Sequence, residues 1–206
     1  MNILLINHYA GSIKHGMAYR PYYLAQEWIK GGHTVTVVAA SYSHLRTQNI
    51  KLSERTVEEN IDGINYVWYR TPEYSGNGIG RIRNMLTFTS ALAIDSKRLA
   101  DRFKPNAVIA SSTYPLDNIP ARHIAKHRRA KYIYEVHDLW PLSPMELGNI
   151  PSWHPYIMVM QWAEDYAYRH SNYVASLLPA AQDQSIDPAA AELPENYVIG
   201  LEDILS

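Results

Sequence analysis

The sequence has no cysteine, which excludes disulfides, thiolate metal sites and cysteine nucleophiles together. It also lacks any run approaching the roughly 18 apolar residues that a membrane-spanning helix requires. Neither sign of charge predominates. The formal net charge is −1 over 206 residues, so no polyanion and no nucleic acid is expected as a partner. Phenylalanine is scarce, with two residues, while tyrosine reaches sixteen; its apolar body and polar tip suit binding surfaces. The opening MNILLINHYAGS lacks a basic n-region and a long enough apolar run to read as a signal peptide. A reducing cytoplasm is compatible with the missing cysteines, and a cytoplasmic location is expected. Apolar residues make up 47% and charged residues 19%, as in an ordinary globular chain of one large domain or one and a half small ones.

What is present alternates between two periodicities. NILLI at 2–6, TVTVVAA at 34–40, AVIASS at 107–112 and YIYEV at 132–136 are short apolar or β-branched runs, the pattern of strands buried on both faces. INYVWYR at 64–70 follows the Asp62-Gly63 turn, and YVASLL at 173–178 reads as a short last strand. Between them, residues 21–30, 79–103, 116–130 and 156–170 carry apolar positions at spacings of three and four, which predicts helices. Pro21 suits a first helical turn and Gly31-Gly32 an end. Residues 41–63 are polar and poorly patterned and read as a long loop. Alternating strands and helices imply an α/β fold: a Rossmann-like, doubly wound, mostly parallel sheet flanked by helices. The domain is expected to span residues 1–178, with 179–206 a linker and a short docking segment.

The loop after the first strand, NHYAGSIKHGMAYR, invites three phosphate-binding readings. A Walker A loop fails: Gly11 and Gly16 are spaced correctly, but Met17-Ala18 stand where lysine and a hydroxyl residue are needed. A dinucleotide fingerprint fails as well, since GxG is missing and the second strand ends in Ala39-Ala40-Ser41 rather than an acid. What remains is a glycine loop leading to a helix N-terminus, where backbone N–H groups can approach an anion. The alternative is a loop whose glycines merely permit turns.

YEVHDLWPLSP at 134–144 places His137 and Asp138 where a buried strand meets solvent, the edge at which open α/β sheets hold ligands. Pro141 and Pro144 are expected to bar both ladder pairing and helix. A satisfied histidine in a tight exit turn is the competing reading. Tyr114, after the fourth strand, either lines a cleft or packs. Arg20 either pairs with a carboxylate or faces an anionic acceptor. His123 and His127 in HIAKH share a helix face, but Lys126, Arg128 and Arg129 crowd it and no glutamate base accompanies them. That face reads as exposed and basic, not as a metal site. Arg81 and Arg83 read first as a solvated helix face, the alternative being contact with anionic lipid headgroups or a lipid-linked acceptor.

These motifs together resemble the opening half of retaining GT-B glycosyltransferases of family 4. Arg20, Leu24, Ala25, Gly32, His33, Val35, Val37 and Val38 fit that family's helix-turn-strand pattern. EVHDLWPLSP, and Glu164 in the following helix, are similar to the bacterial surface-polysaccharide branch that includes transferases resembling L-fucosamine transferase. The resemblance covers about residues 1–180. It implies that this half binds acceptor, that Gly11 and Gly16 approach donor phosphates, and that His137, aided by Asp138, lies at the reacting sugar. Trp140, with Arg20 and Tyr114, would wall the acceptor cleft. The implied substrates are a nucleotide-sugar and a glycan or lipid-linked acceptor, with no cofactor or metal required and contact at the inner face of the membrane. The family's Glu-x7-Glu motif is missing, since no two glutamates stand eight positions apart. A separate C-terminal donor domain is therefore expected to complete the enzyme. The other reading is a non-catalytic half-domain that binds glycan or anchors a catalytic subunit.

Overall fold

The computed structural model describes residues 1–76, 78–138, 140–176 and 197–198. Among these residues eight strands form one sheet: β1 (Asn2–Ile6), β2 (Thr34–Ala40), β3 (Thr56–Ile61), β4 (Ile64–Tyr69), β5 (Ala107–Ala110), β6 (Lys131–Val136), β7 (Tyr173–Ser176) and β8 (Tyr197–Val198). Their spatial order is β3-β4-β2-β1-β5-β6-β7-β8. Every pairing is parallel except the β3–β4 hairpin. Among the described residues five α-helices accompany the sheet: α1 (Arg20–Lys30), α2 (Ile79–Phe103), α3 (Asn118–Arg128), α4 (Leu142–Gly148) and α5 (Pro155–His170).

The central strands are apolar on both sides because helices cover both faces. On one face Ile3, Leu5, Val35 and Val37 meet Tyr22, Ala25 and Trp28 of α1. On the other, Leu4, Ile6, Val38 and Val108 meet Phe88, Leu92 and Leu99 of α2 and Ala121 and Ile124 of α3. Helix α1 carries Pro21 in its first turn and stops where Gly32 takes φ 81°, a conformation that costs glycine little. Half of the sixteen tyrosines serve this interior rather than a surface. Tyr9, Tyr66, Tyr69, Tyr114, Tyr132 and Tyr134 are buried. Several satisfy their hydroxyls there, as Tyr66 does on the Gly11 carbonyl at 2.8 Å and Tyr132 on Asn118 Oδ1 at 2.6 Å.

Two expectations change. Residues 41–63 are not all loop: Thr56–Ile61 form β3, which folds back antiparallel on β4 through Asp62 (φ 50°) and Gly63 (φ 87°). Pro141 and Pro144 do not bar a helix; α4 begins immediately after Pro141 and includes Pro144 in its first turn, where no backbone N–H is needed. The last expected strand, 173–178, runs from Tyr173 to Ser176, and 177–178 lie outside the described residues. So does the tail at 179–206, apart from Tyr197–Val198, which pairs with β7.

Candidate functional site

The chain winds outward from β1 in both directions, through α1 to β2 and through α2 to β5. That makes the carboxyl edge between β1 and β5 the point where the strand order reverses, the place where open α/β sheets form a crevice. Three strand ends and one helix start deliver polar side chains to it. Asn7 follows β1, Ser111 follows β5, Glu135 lies on β6, His137 follows β6, and Arg20 opens α1.

Glu135 is at the centre and only 1% exposed. Its Oε1 accepts from Arg20 Nη2 at 2.5 Å and Nε at 3.2 Å. Its Oε2 accepts from Ser111 Oγ at 2.6 Å and lies 3.2 Å from His137 Nε2. Burial alone would raise this carboxyl. The His137 hydrogen bond and charge, then Arg20 and Ser111, outweigh burial and hold it down at about 2. Asn7 Nδ2 donates to the Ser111 carbonyl at 2.5 Å and reaches Ser111 Oγ at 3.2 Å, fixing the serine.

The donors and acceptors settle the tautomer of His137. The Ser111 hydroxyl has one proton, which goes to Glu135, and an ionised carboxylate has none. The contacts of His137 Nε2 with Ser111 Oγ at 3.0 Å and with Glu135 Oε2 therefore require Nε2–H as the shared donor. Nδ1 is left as the ring atom available to a ligand, and among the described residues no partner is recorded for it. The imidazole side chain keeps 16% of its surface exposed. A neutral imidazole held in this way accepts a hydrogen bond from a hydroxyl at Nδ1, or donates one there when protonated.

The other expected site residues fall in different places. Asp138 is exposed; Glu135 and Ser111, not Asp138, orient the imidazole. Arg20 makes the carboxylate pair foreseen as one of its two roles. Tyr114 is 1% exposed, beneath Tyr9 rather than open to a cleft, and its hydroxyl lies 2.5 Å from His8 Nδ1. Burial, then the charge of Arg46, lowers His8 to about 3, so this histidine is a neutral core group. Trp140 is half-buried. Its indole N–H donates to the Thr113 carbonyl and its backbone N–H to Glu164 Oε1 at 3.3 Å. It stands edge-on to Tyr156 at 6.1 Å. Glu164, 6% exposed, is raised to about 8 by burial.

Gly11 and Gly16 are both required by the chain's own packing. A Cβ on Gly11 would stand 2.1 Å from the Met17 carbonyl oxygen. Gly16 has φ +75°, and its Cβ would stand 1.8 Å from Thr47 Oγ1. Their N–H groups donate inward, Gly11 to Ala18 O at 3.3 Å and Gly16 to Ser12 O at 2.9 Å. Arg46, 5% exposed, clamps the loop from below. Its guanidinium donates to the carbonyls of Ala10, Ser41 and His8 at 2.8, 3.1 and 3.2 Å and lies 5.0 Å over the Trp68 ring. Burial lowers it to about 10.

Sequence reasoning did not single out Glu135, Ser111 or Arg46. For Glu135 a signal existed: a carboxylate inside an apolar strand covered on both faces must find partners or lose its charge. The serine and the arginine carried no such mark.

A family model described as a glycosyl transferase 4-like domain matches residues 15–191. No curated protein matches the sequence. Among solved structures, a sucrose-phosphate synthase from Thermosynechococcus elongatus superposes with a TM-score of 0.54 at 12% identity, over 84% of this chain and 41% of that one. Arabidopsis thaliana UGT89C1, complexed with UDP-L-rhamnose, gives 0.47 at 13% identity over 88% and 43%. MurG from Acinetobacter baumannii gives 0.43 at 13% over 86% and 41%. The first likeness shows the fold, one half of a GT-B architecture. The chain thus spans less than half the length of each of these structures.

Proposed function

The chain belongs to the glycosyl transferase 4-like domain family, and on that premise we propose that it forms the acceptor-side wall of a glycosyltransferase cleft. In that cleft a sugar passes from a nucleotide-sugar to an acceptor hydroxyl with retained stereochemistry. The bond between the anomeric carbon and the phosphate oxygen breaks, the acceptor oxygen bonds to that carbon, and the nucleoside diphosphate departs with the bonding electrons. The acceptor hydroxyl gives up its proton to the departing phosphate oxygen.

The observation that carries this reading is the Arg20–Glu135–Ser111–His137 network at the reversal of strand order. It fixes one imidazole face and leaves Nδ1 for a substrate hydroxyl, a hydrogen bond that can strengthen as charge develops at the reacting centre. Trp140 forms the neighbouring wall. Stabilising the departing diphosphate is the larger electrostatic task, and it falls to a donor-side domain. The similarity of EVHDLWPLSP to its bacterial branch supports surface-polysaccharide synthesis as the setting.

A radiolabelled transfer assay with a panel of nucleotide-sugars tests the reading, using the chain alone and with a separately expressed donor-side domain. Transfer only in the mixture is expected. Transfer by the lone chain would show that the single-wall reading is wrong. Glycan binding without transfer in the mixture would identify a non-catalytic half-domain instead.

A further inference from the structure

Helix α2 has two unlike faces. Its inner face supplies Phe88, Leu92 and Leu99 to the core. Its outer face leaves large apolar side chains in solvent, with Ile79 85%, Leu86 50% and Ile94 73% exposed. Spacings of seven and eight residues put these three on one side of the helix, along roughly 22 Å at 1.5 Å per residue. They border a shallow groove of about 560 Å³ that also includes Arg55 and Arg83. A second hollow adjoins it, lined by Arg55, Arg70 and Arg83 among others. No carboxylate lines either one. Asp95, on the same helix, is buried and shared between Arg55 at 3.2 Å and Arg98 at 2.7 Å, so that trio keeps a positive charge.

We propose that this face of α2 docks on an anionic phospholipid surface, with Ile79, Leu86 and Ile94 entering the interface and Arg55, Arg70 and Arg83 meeting headgroup phosphates. Isolated exposed apolar residues need no explanation, but three on one helical stripe beside grooves lined by arginines and by no carboxylate do. Long guanidinium side chains can lie along apolar surface while their charged heads meet anions. A second copy of the same face is a poor occupant, because two-fold pairing would set arginine against arginine. Among the described residues no helix is long and apolar enough to cross a membrane, so the contact is one of lying on the surface. The orientation has a consequence for the site. Near the N-terminal end of α2, Arg81 Nε donates to Tyr9 Oη at 3.2 Å, so one end of the docked stripe lies at the carboxyl edge of the sheet, within reach of an acceptor anchored in the lipid if the proposed function holds.

Co-sedimentation with vesicles of phosphatidylcholine, with and without phosphatidylglycerol, tests this on the 206-residue chain. Binding is expected only to the anionic vesicles, weakening with salt. Leu86→Glu and Ile94→Glu should each reduce it by about tenfold, and Arg83→Glu by about fivefold or more. All three positions are exposed, and unchanged melting curves would confirm intact folds. Met158→Glu, an equally exposed apolar site on α5, should leave binding unchanged. No binding, equal binding to both vesicle types, or equal loss with Met158→Glu would overturn the proposal. So would a dimer in light scattering that Leu86→Glu dissociates, which would make the stripe a contact between copies.

Discussion

The loop leaving β1 and the segment leaving β6 emerge at the same edge of the sheet, and they direct their polar groups in opposite ways. In the first, Gly11 and Gly16 donate to neighbouring carbonyls, the Gly11 carbonyl accepts from Tyr66, and Arg46 closes the loop from beneath. In the second, Glu135 and Ser111 hold one side of His137 and leave the other ring nitrogen to face a ligand. A glycine-rich loop in a nucleotide-binding type of fold is thus, in this chain, a closure device. The held imidazole sits at the end of a strand whose sequence carries no glycine at all. Two loops at one sheet edge can thus differ, one closing on itself and the other presenting a ring nitrogen outward.

The contrast predicts which substitutions act on folding. Arg46→Met should have the largest effect. It strands the carbonyls of His8, Ala10 and Ser41 in a dry interior and is expected to destabilise by about 3 to 4 kcal/mol in denaturant unfolding. A loss under about 1 kcal/mol would mean that the clamp does not hold the loop.

Glu164 should give the next largest effect, through pH. Its carboxyl is raised from an ordinary value of 4.5 to about 8, so the folded state favours the protonated form. The stability it contributes is present below about pH 4.5 and is lost as pH rises through about 8. Glu164→Gln keeps an acceptor for the Trp140 N–H but cannot ionise. It should gain on the order of 3 kcal/mol over the native chain between about pH 5 and about pH 8, read from thermal melts across that range. Parallel pH curves for the two proteins would remove the buried carboxyl from the account.

Gly16→Ala combines a left-handed backbone with a collision at Thr47 and should cost about 2 to 3 kcal/mol. Adding Thr47→Ala should recover the part due to Oγ1. If Gly16→Ala instead left stability intact and weakened only nucleotide-sugar binding, the loop would be a phosphate cradle after all.

Glu135→Gln should cost least, about 1 to 2 kcal/mol near neutral pH, because Arg20 is half-exposed and can turn to water. The native carboxyl, held at about 2 against an ordinary 4.5, contributes stability above about pH 4.5 that is lost as pH falls through about 2. The gap between variant and native chain should therefore close on acidification, and a gap independent of pH would contradict the ion pair.

Much of the fold was legible because it is written in apolar runs. NILLI, TVTVVAA and YIYEV can only be strands covered on both faces, and the helices between them follow from spacing. β3 was not legible for the converse reason. TVEENI lies at the sheet's edge with Glu58 and Asn60 exposed, so no core imposes a pattern on it, and only the Asp62-Gly63 turn betrays the hairpin. At the site, His137 stood out because a histidine at a strand end is conspicuous. Its orienting partners did not. Glu135 lies within a strand, and Ser111 is distant in sequence and is brought there by the β5–β6 pairing. Asp138 was the nearer candidate along the chain, but side chains alternate along an extended segment, so Glu135, two residues from His137, shares its side.

The central claim is that the β6 exit carries chemistry rather than structure, and His137→Ala tests it most directly. The comparison to make is transfer rate per folded molecule against melting temperature, in the chain combined with a donor-side domain. A positioned hydrogen bond made mainly in the transition state predicts that kcat falls by about 100-fold, while the melting temperature moves by no more than about 2 to 3 °C. A melting temperature that collapses while the rate per folded molecule stays within about twofold of native would show that His137 is a packing residue in a tight turn.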